Sequence, residues 1–300
     1  MHMVIAGASG LVGSHLLRRL PLEVSARLLT RQRRVASGFS GREWIVWDPE
    51  ARGDWEACIE GAEGVINLAG EPIAAKRWSA AQKQKIRSSR LMSTRALVRA
   101  IEAARNKPRF LINASAVGYY GACGDEIVTE TSNPGAGFLA ELCREWEEEA
   151  RKAEAYGVRV VLLRSGIVLA KGQGALAKMV PPFKFFVGGP LGSGRQWMPW
   201  IHIEDEVGLI LFLAQRSDAA GPFNATAPNP VRMDEFCKVL GDVLNRPAWA
   251  GVPASLLTLM LGEMADMLLT GQRAIPQAAQ TLGYSFRYPT LEEALRSLVL

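Results

Sequence analysis

Three glycines, Gly7, Gly10 and Gly13, follow a short apolar run at the start of the chain. In a strand–turn–helix unit the first glycine permits a tight turn, the second lets the main chain approach a phosphate, and the third lets the helix pack closely on the strand. That helix would point its free N–H groups and the positive end of its dipole at a pyrophosphate. The spacing therefore predicts a dinucleotide site, with a glycine-rich turn without a ligand as the alternative.

The second apolar run ends in basic residues at a place where many dinucleotide sites carry an acid. An Asp or Glu about 20 residues after the glycines usually holds the ribose hydroxyls of NAD. Here the run ends in Thr30 and Arg31, and Gln32, Arg33 and Arg34 follow. Because a guanidinium binds a phosphate through two parallel hydrogen bonds, Arg31 predicts recognition of the 2′-phosphate of NADP. A solvated basic loop is the alternative.

The fourth apolar run ends in Asn67 and Leu68, and the small residues Ala69 and Gly70 follow. Ligands of parallel sheets bind outside the carboxyl ends of the strands, where small side chains leave room for ribose and adenine. We therefore expect this segment to contact the cofactor. Arg90 lies on the next helical pattern, where a solvated arginine is the commoner finding.

A glycine-rich loop over residues 188–195 predicts a substrate side. It ends in the cation Arg195, and Trp197, Trp200 and His202 follow. Arg195 could clamp an anionic or sugar-like ligand, and an indole could stack on it. His202 lies in a short alternating run before a helical pattern, so an interior hydrogen bond is its alternative role.

The elements that position these residues alternate between strands and helices. Short β-rich runs lie at residues 3–6, 24–29, 44–47, 65–68, 110–114 and 158–163, with helical patterns at 11–20, 80–104 and 139–155. This alternation predicts an α/β, doubly wound parallel sheet of the Rossmann type over residues 1–170. Glycine and proline then become frequent, and helical patterns return at 204–215, 233–244, 254–269 and 291–298. Residues 171–300 are expected to form the substrate-side segment and a smaller, mostly helical lobe, whose helices could pack back on the sheet.

Composition excludes several classes of protein. The chain has 300 residues, 48% of them hydrophobic, with a modest net charge of +5 and scattered arginines, so a nucleic-acid partner is not expected. The four cysteines are widely spaced, which argues against a disulfide framework and against a metal site. No apolar stretch fits a membrane span, and the first strand-like run leaves no room for a signal peptide. We expect a cytoplasmic protein.

Together these motifs resemble the extended short-chain dehydrogenase/reductase superfamily, and more narrowly its atypical "epimerase family" branch of nucleoside-diphosphate-sugar-epimerase-like proteins. The resemblance covers essentially the whole chain. Its marks are the glycine turn, residues 67–71, 114–121, 164–169, 188–196 and 200–205, and the terminal runs at 261–265 and 288–295.

The resemblance implies a set of cofactor contacts. Arg90 occupies the helix position, usually Asn, that faces the active site, and Val168 lies in the segment that normally lines the nicotinamide. The expected cofactor-binding residues are Gly7, Ser9, Gly10, Leu11, Val12, Gly13, Thr30, Arg31, Leu68, Ala69, Gly70, Arg90 and Val168.

The chain departs from the superfamily at its proton-transfer residues. The usual Tyr, followed four residues later by a Lys, is absent from the sequence. The tyrosine position falls at Phe138 or Leu139, and the lysine position at Leu142 or Cys143. Ser115 and Tyr120 remain as candidate catalytic residues, although Ala116 lies nearer the expected serine position and Tyr120 could simply pack beside the strand.

Two functions follow from these expectations. The first is NADP-dependent oxidoreduction or epimerisation of a small polar substrate, either a carbonyl compound or a sugar-nucleotide-like molecule, with a non-standard catalytic group. The second is an NADPH-sensing regulatory protein without turnover. A monomer or a homodimer is expected.

Overall fold

The computed structural model describes residues 2–32 and 41–299. Its strands in chain order are β1 (His2–Ala6), β2 (Ser25–Thr30), β3 (Arg42–Val46), β4 (Gly64–Asn67), β5 (Phe110–Ala116), β6 (Ile127–Val128), β7 (Arg159–Ser165), β8 (Ile167–Ala170), β9 (Trp197–Met198), β10 (Trp200–His202), β11 (Gly221–Ala225), β12 (Val231–Arg232) and β13 (Arg273–Ala274). The helices are α1 (Leu11–Arg19), α2 (Ala80–Ala103), α3 (Phe138–Arg151), α4 (Gly174–Lys184), α5 (Ile203–Gln215), α6 (Met233–Leu244), α7 (Ala254–Leu261), α8 (Asp266–Leu269), α9 (Gln277–Thr281) and α10 (Leu291–Val299).

Seven of these strands form one parallel sheet in the order β11-β7-β5-β4-β1-β2-β3. Helices α1 and α5 cover one face, and α2 and α3 cover the other. The predicted doubly wound sheet is therefore confirmed. The strand order reverses between β1 and β4, so a ligand crevice is expected at the carboxyl ends of these two strands.

The sheet takes its last strand from beyond residue 170, where the sequence predicted the end of the sheet domain. β11 pairs with β7 at one edge, with Pro222 opposite Leu162. Gly221 and Pro222 are typical turn residues, which hid this strand from the pattern. Proline is tolerated there because an edge strand has one side without a hydrogen-bonded neighbour.

The C-terminal region is mostly helical and packs against the sheet layer. Buried residues of α10 join the core formed by β1, α1 and α5. The helix predicted over residues 254–269 is interrupted, because Gly262 has a φ of +59° and ends α7 before the short α8 begins. Within the described residues, no helix is long and apolar enough to cross a membrane.

Candidate functional site

The turn between β1 and α1 has the geometry that the glycine spacing predicts. Gly7 has a φ of +81°, and a Cβ on it would lie 2.5 Å from the carbonyl carbon of Leu68. A Cβ on Gly13 would lie 2.4 Å from the Gly7 carbonyl oxygen, so α1 packs directly on the turn. Ser9 and Gly10 are exposed. The turn is therefore a cradle of main chain that suits a pyrophosphate.

Arg31 lies exposed at the carboxyl end of β2, beside the glycine turn. Thr30, just before it, is buried, and its hydroxyl accepts a hydrogen bond from the Gln32 N–H. Arg31 lines an open cavity of about 540 Å³. The other lining residues are Val46, Trp47, Asp48, Arg52, Gly53, Asp54 and Trp55. The predicted basic residues Arg33 and Arg34 lie outside the described residues.

The end of β4 is shaped by a buried amide. Asn67 accepts a hydrogen bond from the Ala69 N–H at 3.2 Å, and its Nδ2 donates to Thr94 Oγ1 at 2.9 Å and to Asn113 Oδ1 at 2.7 Å. These bonds fix the segment that contains Leu68 and Ala69. Because β1 and β4 are neighbours, this segment lies directly beside the glycine turn.

Arg90 is buried rather than solvated, with 8% of its surface exposed. Its guanidinium lies 3.1–3.3 Å from the place of a Cβ on Gly70, at the carboxyl end of β4. One NH group donates to the main-chain carbonyls of Glu71 and Ile86. Arg90, at the helix position that faces the active site in the superfamily, therefore lies at this edge of the sheet.

Leu11, Val12 and Val168 lie on the opposite side of the turn. A Cβ on Gly174 would lie 3.1 Å from Leu11 Cδ2 and 3.6 Å from the Val168 carbonyl oxygen, so β8 and the start of α1 approach each other there. All three side chains are partly exposed. The predicted cofactor residues thus lie at or near the carboxyl ends of the neighbouring strands β1, β2 and β4, with Val168 on β8 beside the start of α1.

A buried ion pair joins α3 to β7 at the same edge of the sheet. Arg164 Nε and NH2 donate to the two carboxylate oxygens of Glu147, each at 2.8 Å, and the side chains are only 3% and 5% exposed. Arg164 also stacks 3.5 Å above the Tyr119 ring. Sequence reasoning did not single out this pair. The available signal was a charged residue in an otherwise apolar strand, because such a residue requires a buried partner.

The two hydroxyls that were predicted to be catalytic form hydrogen bonds with the residues of this ion pair. Ser115 donates to Glu147 at 2.7 Å. Tyr120 donates to Asn224 at 2.7 Å and accepts from Arg164 at 3.0 Å. Burial raises the pKa of Tyr120 to about 12, the opposite of what a proton-transfer tyrosine needs. In this structure both side chains stabilise the interior, and neither is free to contact a substrate.

Of the three predicted substrate residues, Arg195 is exposed, whereas Trp200 and His202 are buried. Trp200 is 1% exposed and belongs to the core, so its indole is not accessible as a stacking face in this structure. Trp197 instead carries the partly exposed indole, flanked by Arg232 and Arg273 at 4.7 and 4.6 Å from its ring centre. The Trp197 indole N–H donates to Asp125 at 2.8 Å.

His202 is an interior residue rather than a ligand contact. Its Nδ1 accepts a hydrogen bond from the Glu204 N–H at 3.0 Å and so caps α5, and its Nε2 pairs with Ser297 Oγ at 3.1 Å. The ring stacks on Tyr288 at 3.8 Å. The interior alternative that the sequence left open is the one observed. Among the described residues, no group of three His, Cys, Asp or Glu side chains could hold a metal ion.

Burial of His202 predicts a loss of stability in acid. Burial, with smaller contributions from Arg287 and His15, lowers the pKa of His202 from 6.5 to about 4. Below pH 6.5 His202 takes up a proton in the unfolded chain, whereas in the folded chain it stays neutral until about pH 4. The free energy of unfolding therefore decreases as the pH is lowered through this window. At ~1.4 kcal/mol per pKa unit, the loss amounts to about 3 kcal/mol.

The His202→Asn variant tests this origin, because asparagine keeps the helix cap but does not titrate. Urea unfolding at pH 7 and pH 4 should show a smaller loss for the variant than for the wild type. An equal loss in both proteins would assign the pH dependence to other groups.

The parallel sheet with its glycine turn defines an NAD(P)-binding Rossmann protein. Residues 3–226 match the model of the "NAD dependent epimerase/dehydratase family", and residues 252–298 match a "Domain of unknown function (DUF1731)". The chain belongs to the NAD-dependent epimerase/dehydratase family.

Relatives of similar length support this assignment. The chain is 43% identical to the chloroplastic epimerase family protein SDR39U1 homolog of Arabidopsis thaliana, over 100% of this chain and 87% of that protein. It is 41% identical to the epimerase family protein ML0860 of Mycobacterium leprae, over 98% and 94%. A crystal structure of human epimerase family protein SDR39U1 (isoform 2) with NADPH is similar with a TM-score of 0.90, 31% identity and 99% coverage of both chains.

Proposed function

We propose that this protein binds NADPH and uses it in oxidoreduction or epimerisation of a small polar substrate. The observation that carries the proposal is the position of Arg31, which lies at the end of β2 beside an intact glycine cradle. A dinucleotide with its pyrophosphate at the β1 turn extends its adenosine half toward β2 and β3, which brings the 2′-position toward Arg31.

Three further observations support NADP over NAD. The two described residues that follow β2, Arg31 and Gln32, are not acidic. An Asp or Glu at this place would hold the ribose hydroxyls of NAD. The cavity beside Arg31 also contains Arg52, a second guanidinium on a different segment. Asp48 and Asp54 line the same cavity and suit hydrogen-bond donors of the adenosine better than a phosphate. The human relative with 31% identity was solved with NADPH.

Cofactor preference is the direct test. We expect NADPH to bind at least about tenfold more tightly than NADH, because a guanidinium–phosphate pair is absent from the NADH complex. The Arg31→Ala variant should lose this preference by weakening NADPH alone, with no change in the free energy of unfolding, since Arg31 is exposed. Fluorescence titration with both cofactors measures the preference.

A matched control is Arg216→Ala, which removes an exposed arginine paired with Asp218 far from the cavity. Equal affinities of the wild type for NADPH and NADH would contradict the proposed role of Arg31. A preference that survives in Arg31→Ala would move the phosphate contact to another residue, with Arg52 the first to replace.

The reaction requires a proton-transfer group other than the usual tyrosine. A bound nicotinamide supplies or accepts the hydride. The protein would have to protonate or deprotonate the substrate oxygen, and Phe138 and Leu139 cannot do this. NADPH oxidation followed by absorbance against carbonyl compounds and nucleotide sugars tests for turnover.

The second candidate is an NADPH-sensing protein without turnover. It is favoured by the internal hydrogen bonds of Ser115 and Tyr120, which leave neither hydroxyl free for catalysis. Tight NADPH binding with no oxidation across the whole substrate panel would support it. The cytoplasmic location and the monomeric or homodimeric state remain predictions.

A further inference from the structure

We propose that Arg90 binds the nicotinamide ribose of the cofactor from α2. This inference rests on the proposed function, because it requires a bound NADPH. It assigns Arg90 to one half of the dinucleotide and to one group on it.

The first observation is a buried cation without an anionic partner. Arg90 is 92% buried, taking its exposed fraction of 8%, yet it forms no ion pair in the part of the chain that the structure describes. The nearest candidate, the Glu71 carboxylate, pairs with Lys85 at 3.2 Å. The Arg90 guanidinium has five N–H donors, and only its NH1 group is used by main-chain carbonyls. The remaining donors keep a small solvent-accessible area, so a ligand can reach them and supply acceptors.

The second observation is where this guanidinium lies. It touches Gly70 at the carboxyl end of β4 and lies 5.1 Å from the ring centre of Trp146 on α3. Cys143 lies three residues before Trp146, one turn earlier on the same face of α3. Cys143 is one of the two positions to which the superfamily pattern assigns the lysine. The cation from α2 therefore occupies space next to the position that α3 leaves without a charge.

The third observation is the strand order. The sheet runs β5-β4-β1-β2-β3, so Arg31 after β2 and Gly70 after β4 lie on opposite sides of the glycine turn. A dinucleotide with its pyrophosphate on the turn and its 2′-phosphate at Arg31 must place its other half over β4 and β5. That half carries the nicotinamide ribose, whose two hydroxyls are acceptors for a guanidinium.

The test separates the two halves of the cofactor. The Arg90→Gln variant and the wild type are titrated with NADPH and with 2′,5′-ADP, which contains the adenosine and the 2′-phosphate but no nicotinamide ribose. We expect the variant to bind NADPH about 10- to 100-fold more weakly, the effect of losing a charged hydrogen bond, while 2′,5′-ADP changes less than about twofold. Arg87→Gln, one turn earlier on α2 and paired at the surface with Glu145, should bind both ligands as the wild type does.

Equal weakening of both ligands would overturn the inference and leave Arg90 with a structural role at Glu71. Unchanged affinity for both would overturn it too. If the glutamine variant does not fold, a crystal structure of the wild type with NADPH decides: a hydrogen bond from the guanidinium to a nicotinamide ribose hydroxyl supports the inference, and its absence overturns it. Failure of the wild type to bind NADPH at all would instead contradict the proposed function.

Discussion

Replacement of Gly13 by alanine is expected to weaken NADPH binding strongly and to destabilise the fold. The new Cβ would lie 2.4 Å from the Gly7 carbonyl oxygen, 2.7 Å from Ala8 Cα and 2.9 Å from the Ala8 carbonyl carbon. All three atoms are main chain, so no side chain can move aside, and α1 must shift away from β1. Overpacking of this kind costs about 1–3 kcal/mol of stability.

The same shift moves the free N–H groups of α1 away from the pyrophosphate. Because binding at a helix start depends on several such groups acting together, we expect NADPH affinity to fall by more than about 100-fold. Fluorescence titration gives the affinity and urea unfolding gives the stability. Near-normal NADPH affinity in a folded Gly13→Ala protein would contradict the placement of the pyrophosphate at this turn.

Gly10→Ala is the matched variant. Its Cβ would approach only the Gly7 carbonyl oxygen, at 3.3 Å, and Gly10 is exposed. We expect little change in the free energy of unfolding but weaker NADPH binding, because the methyl group would occupy space that a phosphate needs. The two variants together separate the packing role of Gly13 from the ligand role of Gly10.

The sequence was sufficient to predict the sheet and the cofactor turn because both depend on local signals. The apolar runs report the periodicity of strands and helices, and the glycine spacing reports the backbone conformation of the turn. Both can be recognised from residues that are close together in the sequence. β11 escaped prediction because Gly221 and Pro222 carry the local signals of a turn, and its strand conformation depends on pairing with β7.

Whether the candidate catalytic and substrate residues can contact a ligand depends on their burial, and burial cannot be predicted from a local sequence pattern. Tyr120, Trp200 and His202 have functional groups suited to ligand contact, yet each is buried by elements distant in sequence. His202, for example, stacks on Tyr288 and pairs with Ser297, more than 80 residues away along the chain. Arg90 shows the converse, because its burial under the β4 loop makes it a stronger candidate than its helical context suggested.

Breaking the Glu147–Arg164 pair is expected to have the largest effect on stability. Glu147→Gln keeps the shape of the side chain but removes the carboxylate that forms the ion pair of Arg164 in the described part of the chain. Removing one partner of a buried pair costs about 3–5 kcal/mol, a large part of the ~5–15 kcal/mol by which a domain is stable. Urea unfolding of the wild type and the variant measures this difference.

The control is Arg144→Met on the same helix, which breaks an exposed pair with Glu148 and should cost no more than about 0.5 kcal/mol. A loss of similar size for Glu147→Gln would show that water reaches Arg164 and that the pair is not sealed.

A double variant shows why the cost arises. In Glu147→Met with Arg164→Met neither charge remains, so the combined loss should be smaller than the sum of the two single losses. The remaining loss would come from Ser115 and Tyr120, whose hydroxyls each lose one of these two partners. Strictly additive losses would mean that the two charges do not stabilise each other, and the buried pair would then not be what holds α3 against β7 at the edge of the cofactor site.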